Sequence, residues 1–195
     1  MTIALIIISY LLGSINSAVL TCKLLRLPSP YSAGSGNPGA TNVLRLGGKK
    51  AAAMTLAGDV LKGVVPVVIG HLLQLSYLEL SILAFAAVVG HMFPIFFKFK
   101  GGKGVATSLG AIIALSPLLG LAFIATWAII AGVFRYSSLA SIVACALAPL
   151  YSHFLLNDGT VIPLMLLAVL VIAKHHGNIQ RLLKSEESRL GKKQR

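Results

Sequence analysis

The chain has 195 residues, of which 56% are hydrophobic and only 11% are charged, with a mean hydropathy of +0.87. Soluble domains carry about 25% charged residues, so this composition excludes soluble, secreted and disordered proteins. It predicts an all-α, polytopic integral membrane protein. Seven spans of about 20 residues each would use roughly 140 residues and leave short loops. We therefore expect one membrane-embedded domain over residues 1–195, with a flexible tail at 188–195.

The ionisable residues are strongly unbalanced, with 17 Lys and Arg against 5 Asp and Glu, a net charge of +12. In a soluble protein this excess would suggest a nucleic-acid partner, but in a membrane protein it marks the cytoplasmic face. Cys22 and Cys145 both lie in apolar runs without metal-type spacing. We therefore expect no nucleic-acid partner, no metal site, no disulfide framework and no cofactor.

The first predicted span is Met1–Cys22, which has no basic residue and is followed by Lys23 and Arg26. This pattern predicts an uncleaved helix whose N-terminus lies outside the cell. Further spans are predicted at residues 51–75, 80–97, 136–157 and 160–173.

The number of spans depends on residues 104–134, which are free of charge and too long for one upright helix. Ser116-Pro117 interrupts this stretch and predicts a hairpin of two helices. The hairpin gives about seven spans, with the N-terminus outside and the C-terminus cytoplasmic. Sixteen of the seventeen Lys and Arg then lie at the cytoplasmic side, Lys62 being the exception. The positive-inside rule therefore favours this topology.

The first predicted cytoplasmic loop is residues 32–42, SAGSGNPGATN, with Arg45 shortly after it. Glycine-rich turns can direct successive backbone N–H groups towards an anion, and arginine offers a planar fork to phosphate. The alternative is a polar loop in which the glycines only form turns. The residues that would contribute backbone or side-chain groups are Gly34, Ser35, Gly36, Asn37, Pro38, Gly39, Thr41 and Asn42.

Two further basic segments carry candidate groups. KFKGGKGVAT at residues 98–107 fails the spacing of a nucleotide-binding P-loop, but it places Lys103 between Gly102 and Gly104 at a helix start, which suits an anion. KHHGNIQRLLKSEE at residues 174–187 places His175 and Asn178 three residues apart, on one face of a helix.

Two other polar pairs have simpler interpretations. Asp59 and Lys62 lie at i and i+3 within a span, where an ion pair that fixes helix packing is favoured over direct catalysis. His153 and Asp158 have the H-x-x-x-x-D spacing of a class of glycerolipid acyltransferases. Because this pair lies at the predicted outer end of a helix, opposite the basic loops, we interpret its spacing as chance.

Taken together, GSGNPGATNVLR, GHMFPIFFKFKGGKGVAT and KHHGNIQRL resemble the three cytoplasmic motifs of the bacterial PlsY family, the acyl-phosphate-dependent glycerol-3-phosphate acyltransferases. The resemblance implies Ser35, Lys103, His175 and Asn178 as catalytic residues. It implies as substrate-binding residues Gly34, Gly36, Asn37, Gly39, Thr41, Asn42, Arg45, Gly102, Gly104, Ser138 and Glu187. The loop at residues 35–39 would hold acyl phosphate, through backbone N–H groups and Ser35. The headgroup of glycerol 3-phosphate would be held by Arg45, Lys103 and His175, with Ser138 and Asn178 as neutral donors that position it.

The reaction implied is transfer of a fatty acyl group from acyl phosphate to the 1-hydroxyl of glycerol 3-phosphate, the first step of bacterial phospholipid synthesis. The products would be lysophosphatidate and phosphate, formed at the cytoplasmic side of the inner membrane. The base could be His175 or a substrate phosphate. The partners implied are the two substrates, membrane lipid and the enzyme that forms acyl phosphate. The alternative is a small transporter or flippase for a phosphorylated lipid or metabolite, although such sites lie near the bilayer midplane.

Overall fold

The computed structural model describes residues 2–156 and 159–190, which form α-helices, one short 3-10 turn and connecting loops, with no β-strand among them. The α-helices are α1 (Thr2–Gly13), α2 (Ser17–Leu24), α3 (Ala40–Leu72), α4 (Tyr77–Met92), α5 (Val105–Leu115), α6 (Pro117–Phe134), α7 (Ser137–Leu155), α8 (Val161–Lys174) and α9 (His176–Leu183). The 3-10 turn is Ile95–Phe97. The all-α prediction is confirmed.

The first predicted span is not one helix, which corrects the expectation for Met1–Cys22. α1 and α2 meet at an angle of 41°, with the break between Gly13 and Ser17. Asn16 explains the break, because its side-chain oxygen accepts the Val19 N–H at 3.1 Å and so starts a new helix. Met1 lies outside the described residues.

The second predicted span begins earlier than expected, because α3 starts at Ala40 rather than near residue 51. Thr41, Asn42 and Arg45 therefore lie in its first turns instead of in a loop. Gly48, at φ +73°, kinks the helix between this polar start and the apolar remainder. The kink allows the polar turns to follow a different direction from the span.

The break predicted at Ser116-Pro117 is confirmed. Ser116 caps α6 by accepting the Leu119 N–H, and Pro117 occupies the first helical position. α5 packs very closely on α3, since a Cβ at Gly63 would lie 2.1 Å from the Thr107 carbonyl oxygen. This contact buries a helix of only 11 residues within the bundle.

α4 lies at the centre of the core. Leu80, Leu83, Ala84, Val88 and Met92 each have at most 1% of their surface exposed. Among the described residues, four segments are long and apolar enough to cross a membrane alone: α3, α6, α7, and α4 together with the 3-10 turn that follows it (Tyr77–Phe97). The bent pairs α1–α2 and α8–α9 raise the number of candidate spans to six, and α5 is a shorter apolar helix. The protein is a multi-pass membrane protein, while the count of seven and the orientation stay predictions.

Candidate active site

A chain of hydrogen bonds connects residues from three separate parts of the sequence at one end of the bundle. Lys103 Nζ donates to Asn178 Oδ1 at 2.5 Å. Asn178 Nδ2 donates to Glu187 Oε1 at 2.6 Å, and Ser138 Oγ donates to the same oxygen at 2.8 Å. Four predicted site residues are therefore brought together.

The local fold explains this convergence. Lys103 lies just before the start of α5, and Ser138 lies in the first turn of α7. α9 bends away from α8 by 60°, which places Asn178 beside Lys103. Helix starts leave several N–H groups without intrahelical partners, so polar groups gather there more easily than in mid-span.

The last described residues fold back over this site. Leu190 exchanges two hydrogen bonds with Arg135, through its N–H at 2.7 Å and its carbonyl at 3.1 Å. Arg189 donates to the Tyr136 hydroxyl at 3.2 Å. These contacts involve the first residues of the tail at 188–195, whose flexibility stays a prediction, and residues 191–195 lie outside the described residues.

Glu187 anchors the returning segment. Its side chain is only 7% exposed, and besides Ser138 and Asn178 it accepts a hydrogen bond from Arg181 Nε at 2.7 Å. Burial alone would raise the pKa of Glu187, but the donors from Asn178, Ser138 and Arg181 outweigh it and leave the pKa below its ordinary value. The carboxylate is therefore ionised at neutral pH.

Lys103 is a partly desolvated cation. Its pKa lies below the usual value, mainly because of burial, while the Glu187 carboxylate opposes this shift. The neighbouring charges of Arg181 and Arg45 also lower the pKa of Lys103, which places both guanidinium groups within electrostatic range. One of the three N–H groups of the ammonium goes to Asn178, so this end of the bundle offers concentrated positive charge to an anion.

His175 is held as a neutral imidazole at the end of α8. It is 3% exposed, and Nδ1 lies 2.7 Å from the Val171 carbonyl oxygen. Because a carbonyl has no proton, Nδ1 carries the hydrogen and Nε2 keeps its lone pair. Burial, the main cause, lowers the pKa of His175 to about 4, with a smaller contribution from Lys103. His175 can therefore accept a hydrogen bond at neutral pH, but it is a weak base.

The glycine-rich loop is organised from within by Asn42. The Asn42 amide accepts the Ser35 N–H at 2.8 Å and donates to the Pro30 and Ala33 carbonyls, both at 3.0 Å. Gly34 makes this possible, because its φ is +64° and a Cβ there would lie 2.0 Å from Asn42 Oδ1. Asn42 is 2% exposed and its side-chain groups shape the loop rather than face outward.

The backbone N–H groups that were expected to hold a phosphate are partly engaged within the loop. The N–H groups of Ser35, Gly36 and Gly39 donate within the loop, to Asn42, Ala33 and Asn37 respectively. In this conformation those three groups are not directed at a ligand. Ser35 is exposed in the loop, and Thr41 and Arg45 are exposed in the first turns of α3. Asn37 and Gly39 are partly exposed, and Gly102 and Gly104 are buried on either side of Lys103 in the sequence.

Three residues of this region were not singled out from the sequence. Arg181 was detectable, since it lies three residues after Asn178 on the same helix. The Tyr31 hydroxyl accepts from Asn16 Nδ2 at 2.9 Å and donates to the Lys100 carbonyl at 2.7 Å, which no spacing pattern signals. No spacing pattern signals His91 either, yet its ring lies directly against Gly102. Of the His153–Asp158 pair, Asp158 lies outside the described residues.

Known proteins resemble this chain over nearly its whole length. Residues 3–185 match the family described as "Glycerol-3-phosphate acyltransferase". The protein of that name from Shewanella loihica is 53% identical to this chain, over 100% of this chain and 96% of its own length. The one from Francisella tularensis subsp. novicida is 50% identical, over 97% of this chain and 93% of its own length. A crystal structure of PlsY, an integral membrane glycerol 3-phosphate acyltransferase, in its glycerol 3-phosphate form is 40% identical. It has a TM-score of 0.91 and covers 97% of this chain and 96% of its own. The lysophosphatidic acid form has a TM-score of 0.87, again at 40% identity, over 97% of this chain and 95% of its own.

Proposed function

The chain belongs to the glycerol-3-phosphate acyltransferase family and is therefore an acyltransferase, and on this premise we propose its donor, acceptor and mechanism. It transfers a fatty acyl group from acyl phosphate to the 1-hydroxyl of glycerol 3-phosphate. The products are lysophosphatidate and inorganic phosphate. The structural relatives with glycerol 3-phosphate and lysophosphatidic acid support the acceptor and the product. The acyl-phosphate donor rests on the motif resemblance and on the chemistry of the site.

The observation that carries the proposal is the convergence of Lys103, Asn178 and Ser138 around the Glu187 carboxylate, with His175 at the adjoining helix end. Lys103 and Arg45 supply positive charge for the glycerol-phosphate headgroup, and Ser138 and Asn178 supply neutral polar groups. The exposed Ser35 hydroxyl and the start of α3 face the acyl phosphate. Both substrates carry phosphate, which accounts for basic groups on several segments.

The reaction needs alignment more than activation, because acyl phosphate is a mixed anhydride. The 1-hydroxyl oxygen attacks the acyl carbon, the bond from that carbon to the phosphate oxygen breaks, and phosphate leaves with the electron pair. His175 Nε2 accepts a hydrogen bond from the attacking hydroxyl and orients it. Because the pKa of His175 is about 4, a phosphate oxygen is the better final acceptor of the hydroxyl proton. We therefore favour substrate assistance over His175 as the base.

The site faces the cytoplasm of a bacterial inner membrane in this proposal. The support is the distribution of Lys and Arg, which are absent from residues 71–79, 116–117 and 157–160, the predicted outer loops. A reporter active only in the periplasm should work when it is fused before Met1 or into residues 157–159, and should fail after Arg195. A periplasmic C-terminus would contradict the seven-span topology and the placement of the site.

The decisive experiment uses purified protein in detergent or nanodiscs, with labelled glycerol 3-phosphate and a synthetic acyl phosphate. We expect labelled lysophosphatidate with release of one phosphate per product. Acyl-CoA and acyl carrier protein should fail as donors, since no signature of an adenine or pantetheine pocket is present in the sequence. Comparable turnover with acyl-CoA would refute the donor assignment. Uptake of intact glycerol 3-phosphate into vesicles without product would favour the transporter alternative.

The enzyme that forms acyl phosphate would be the partner from which this protein receives its donor. Acyl phosphate hydrolyses in water, so direct delivery at the membrane surface would protect it. Rate measurements with donor generated in place, compared with donor added in bulk, would test this coupling.

A further inference from the structure

The C-terminal turn of α4 holds two neighbouring segments through its own carbonyl groups. The last carbonyls of a helix lack intrahelical partners, so they must find donors elsewhere. The His91 carbonyl accepts the Gly102 N–H at 3.2 Å, and the Met92 carbonyl accepts Lys174 Nζ at 3.0 Å. The loop that carries Lys103 is therefore hydrogen-bonded to α4 one residue before Lys103 itself.

The side chain of His91 lies between this loop and a buried carboxylate. On one side, Nδ1 is 3.5 Å from Asp59 Oδ1, and the two side chains are 7% and 3% exposed. On the other side, the ring abuts Gly102 so closely that a Cβ there would lie 2.2 Å from Nε2. Gly102 is thus required for the close approach, and the His91 ring determines how near to α4 the loop can come.

Lys62 extends this set of contacts to the break in the first span. Its Nζ is 2.9 Å from Asp59 Oδ1 and donates to the Ile15 carbonyl at 2.8 Å. Ile15 lies between α1 and α2, where the bent backbone leaves carbonyls without helical partners. Lys62, Asp59 and His91 therefore form a continuous buried line from the helix break to the Gly101–Gly104 loop.

We propose that Lys62, Asp59 and His91 are positioning residues that set the location of Lys103 in the active site. None of the three is assigned a contact with substrate. They act through the Gly102 backbone, and the proposal rests on the proposed function for the role of Lys103. It goes beyond the ion pair expected from the sequence, which would only fix helix packing.

Energetics favour a positioning role over a stabilising one. A buried ion pair has a large desolvation cost, so replacing it with apolar side chains is often neutral or stabilising for the fold. What apolar side chains cannot replace is the polar contact between Asp59 and the His91 ring, in which Nδ1 lies 3.5 Å from Oδ1. A displacement of about 1 Å in a group that orients substrate can cost up to about 100-fold in rate. In a variant that lacks only the His91 ring, Asp59 keeps its ion pair with Lys62 at 2.9 Å, so the effect should appear in substrate constants more strongly than in melting temperature.

The test compares His91→Leu with His91→Asn in purified protein. An asparagine amide can place its nitrogen near the position of Nδ1 and keep the contact with Asp59, whereas leucine cannot. We expect His91→Leu to raise the dissociation constant and the KM for glycerol 3-phosphate about tenfold, and His91→Asn to restore part of this loss. The KM for acyl phosphate should change less than about twofold, because Lys103 is assigned to the other substrate.

His71→Ala is the matched control. His71 Nε2 contacts the Ala114 carbonyl at 2.9 Å at the opposite end of α3, so its loss perturbs the same bundle far from Lys103. It should alter melting temperature without changing the KM for glycerol 3-phosphate. Equal changes in both KM values, or the same change in His71→Ala, would indicate a general packing effect and overturn the proposal. So would wild-type constants in His91→Leu.

A double-mutant cycle tests the contact itself and does not depend on stability alone. Gly102→Ala should be costly when His91 is present, because the new methyl group would meet Nε2 and Cε1. His91→Asn removes Nε2 and Cε1. Of the three atoms that the added methyl group would meet most closely, only the Pro38 carbonyl oxygen, at 3.2 Å, then remains. We expect the penalty of Gly102→Ala on glycerol 3-phosphate binding to fall at least about threefold in that background. Equal penalties in both backgrounds would overturn the proposal.

Binding of labelled glycerol 3-phosphate without donor keeps this test separate from the proposed function. If the wild-type protein binds glycerol 3-phosphate but does not use acyl phosphate, the donor assignment fails while the positioning test proceeds unchanged. If binding is normal in all His91 variants, the positioning role fails while the donor assignment stands.

Discussion

Asn178→Asp tests the hydrogen-bond chain with the smallest change in shape. The wild-type amide donates to Glu187 Oε1 at 2.6 Å and accepts from Lys103 on its other side. The substitution keeps the oxygen that faces Lys103 and replaces the donor that faces Glu187 with a second carboxylate oxygen. The carboxylate of the new aspartate then faces the Glu187 carboxylate, in place of the hydrogen bond from Asn178 to Glu187.

The magnitude follows from this distance. Two full charges 2.6 Å apart repel by about 6 kcal/mol at an effective dielectric constant of about 20. Protonating the new carboxyl costs less, about 4 kcal/mol at pH 7 for a group of pKa about 3.9, at 1.36 kcal/mol per pH unit. The protonated form is therefore the one that preserves the site, because it can donate to Glu187 again. We expect a loss of about 10²- to 10³-fold in kcat/KM at pH 7.

The sign of the pH dependence is fixed by the same argument. Each unit of decrease in pH makes protonation about tenfold easier, so the activity of Asn178→Asp relative to wild type should rise about 100-fold between pH 7.5 and 5.5. The pKa of Glu187 lies below its ordinary value, so the wild-type carboxylate stays ionised over this range. The assay is initial rate with acyl phosphate and glycerol 3-phosphate across these pH values.

Ser138→Ala is the matched control, since it removes a donor to the same Glu187 oxygen without adding a charge. Loss of one hydrogen bond to a charged group costs about 1.5–3 kcal/mol, and the resulting defect should not depend on pH in this window. A flat relative profile for Asn178→Asp, or activity near wild type at pH 7, would refute the assignment of this contact to the working site.

Three further outcomes are expected. Arg45→Lys keeps the charge but loses the bidentate fork, so the KM for glycerol 3-phosphate should rise about tenfold in the same assay, and an unchanged KM would remove Arg45 from the site. His175→Gln should lower kcat/KM by more than about tenfold, whereas His153→Ala, an exposed histidine on another helix end, should leave it nearly unchanged; the reverse would place the site at the wrong end. Burial lowers the pKa of His175 from 6.5 to about 4. Below about pH 6.5 the unfolded chain therefore binds a proton that the folded chain does not. As the pH falls, the contribution of His175 to the free energy of unfolding is lost. Thermal unfolding between pH 7.5 and 5 should show a smaller loss of melting temperature in His175→Gln.

Predictions that depend on local chemistry agree with the structure. Ser116-Pro117 breaks the long apolar stretch because proline cannot continue a helix and serine caps the next one. Lys103 and Asn178 could be assigned to one end of the bundle, because each lies in a basic segment next to a span: Lys103 just before α5, and Asn178 just after α8. These inferences need only helix length, charge and chain order.

Predictions that depend on which groups meet across the fold are less successful. Asn42 carries the polar groups of a ligand-binding residue, but its side-chain amide forms hydrogen bonds with three backbone groups of the loop. The same polar atoms can form hydrogen bonds with a phosphate or with the protein backbone, and which of the two they meet depends on the path of the folded chain. Similarly, Asp59 and Lys62 predict an ion pair from their spacing, whereas the approach of His91 from α4 depends on helix packing that periodicity does not encode.

The charge around Lys103 also explains why a carboxylate belongs in a site for anions. Arg45 and Arg181 lie within electrostatic range of Lys103, and the Glu187 carboxylate attracts Lys103 and forms an ion pair with Arg181. Three positive charges less one negative charge leave a local charge of about +2, which matches a phosphate monoester that carries about −1.5 to −2 at neutral pH. A purely cationic cluster would bind the phosphate of glycerol 3-phosphate, and of the lysophosphatidate formed from it, more tightly and would slow release of that product. Glu187 accepts hydrogen bonds from Asn178 and Ser138, and in the proposed reaction its charge would also limit how tightly the phosphate of the product is retained.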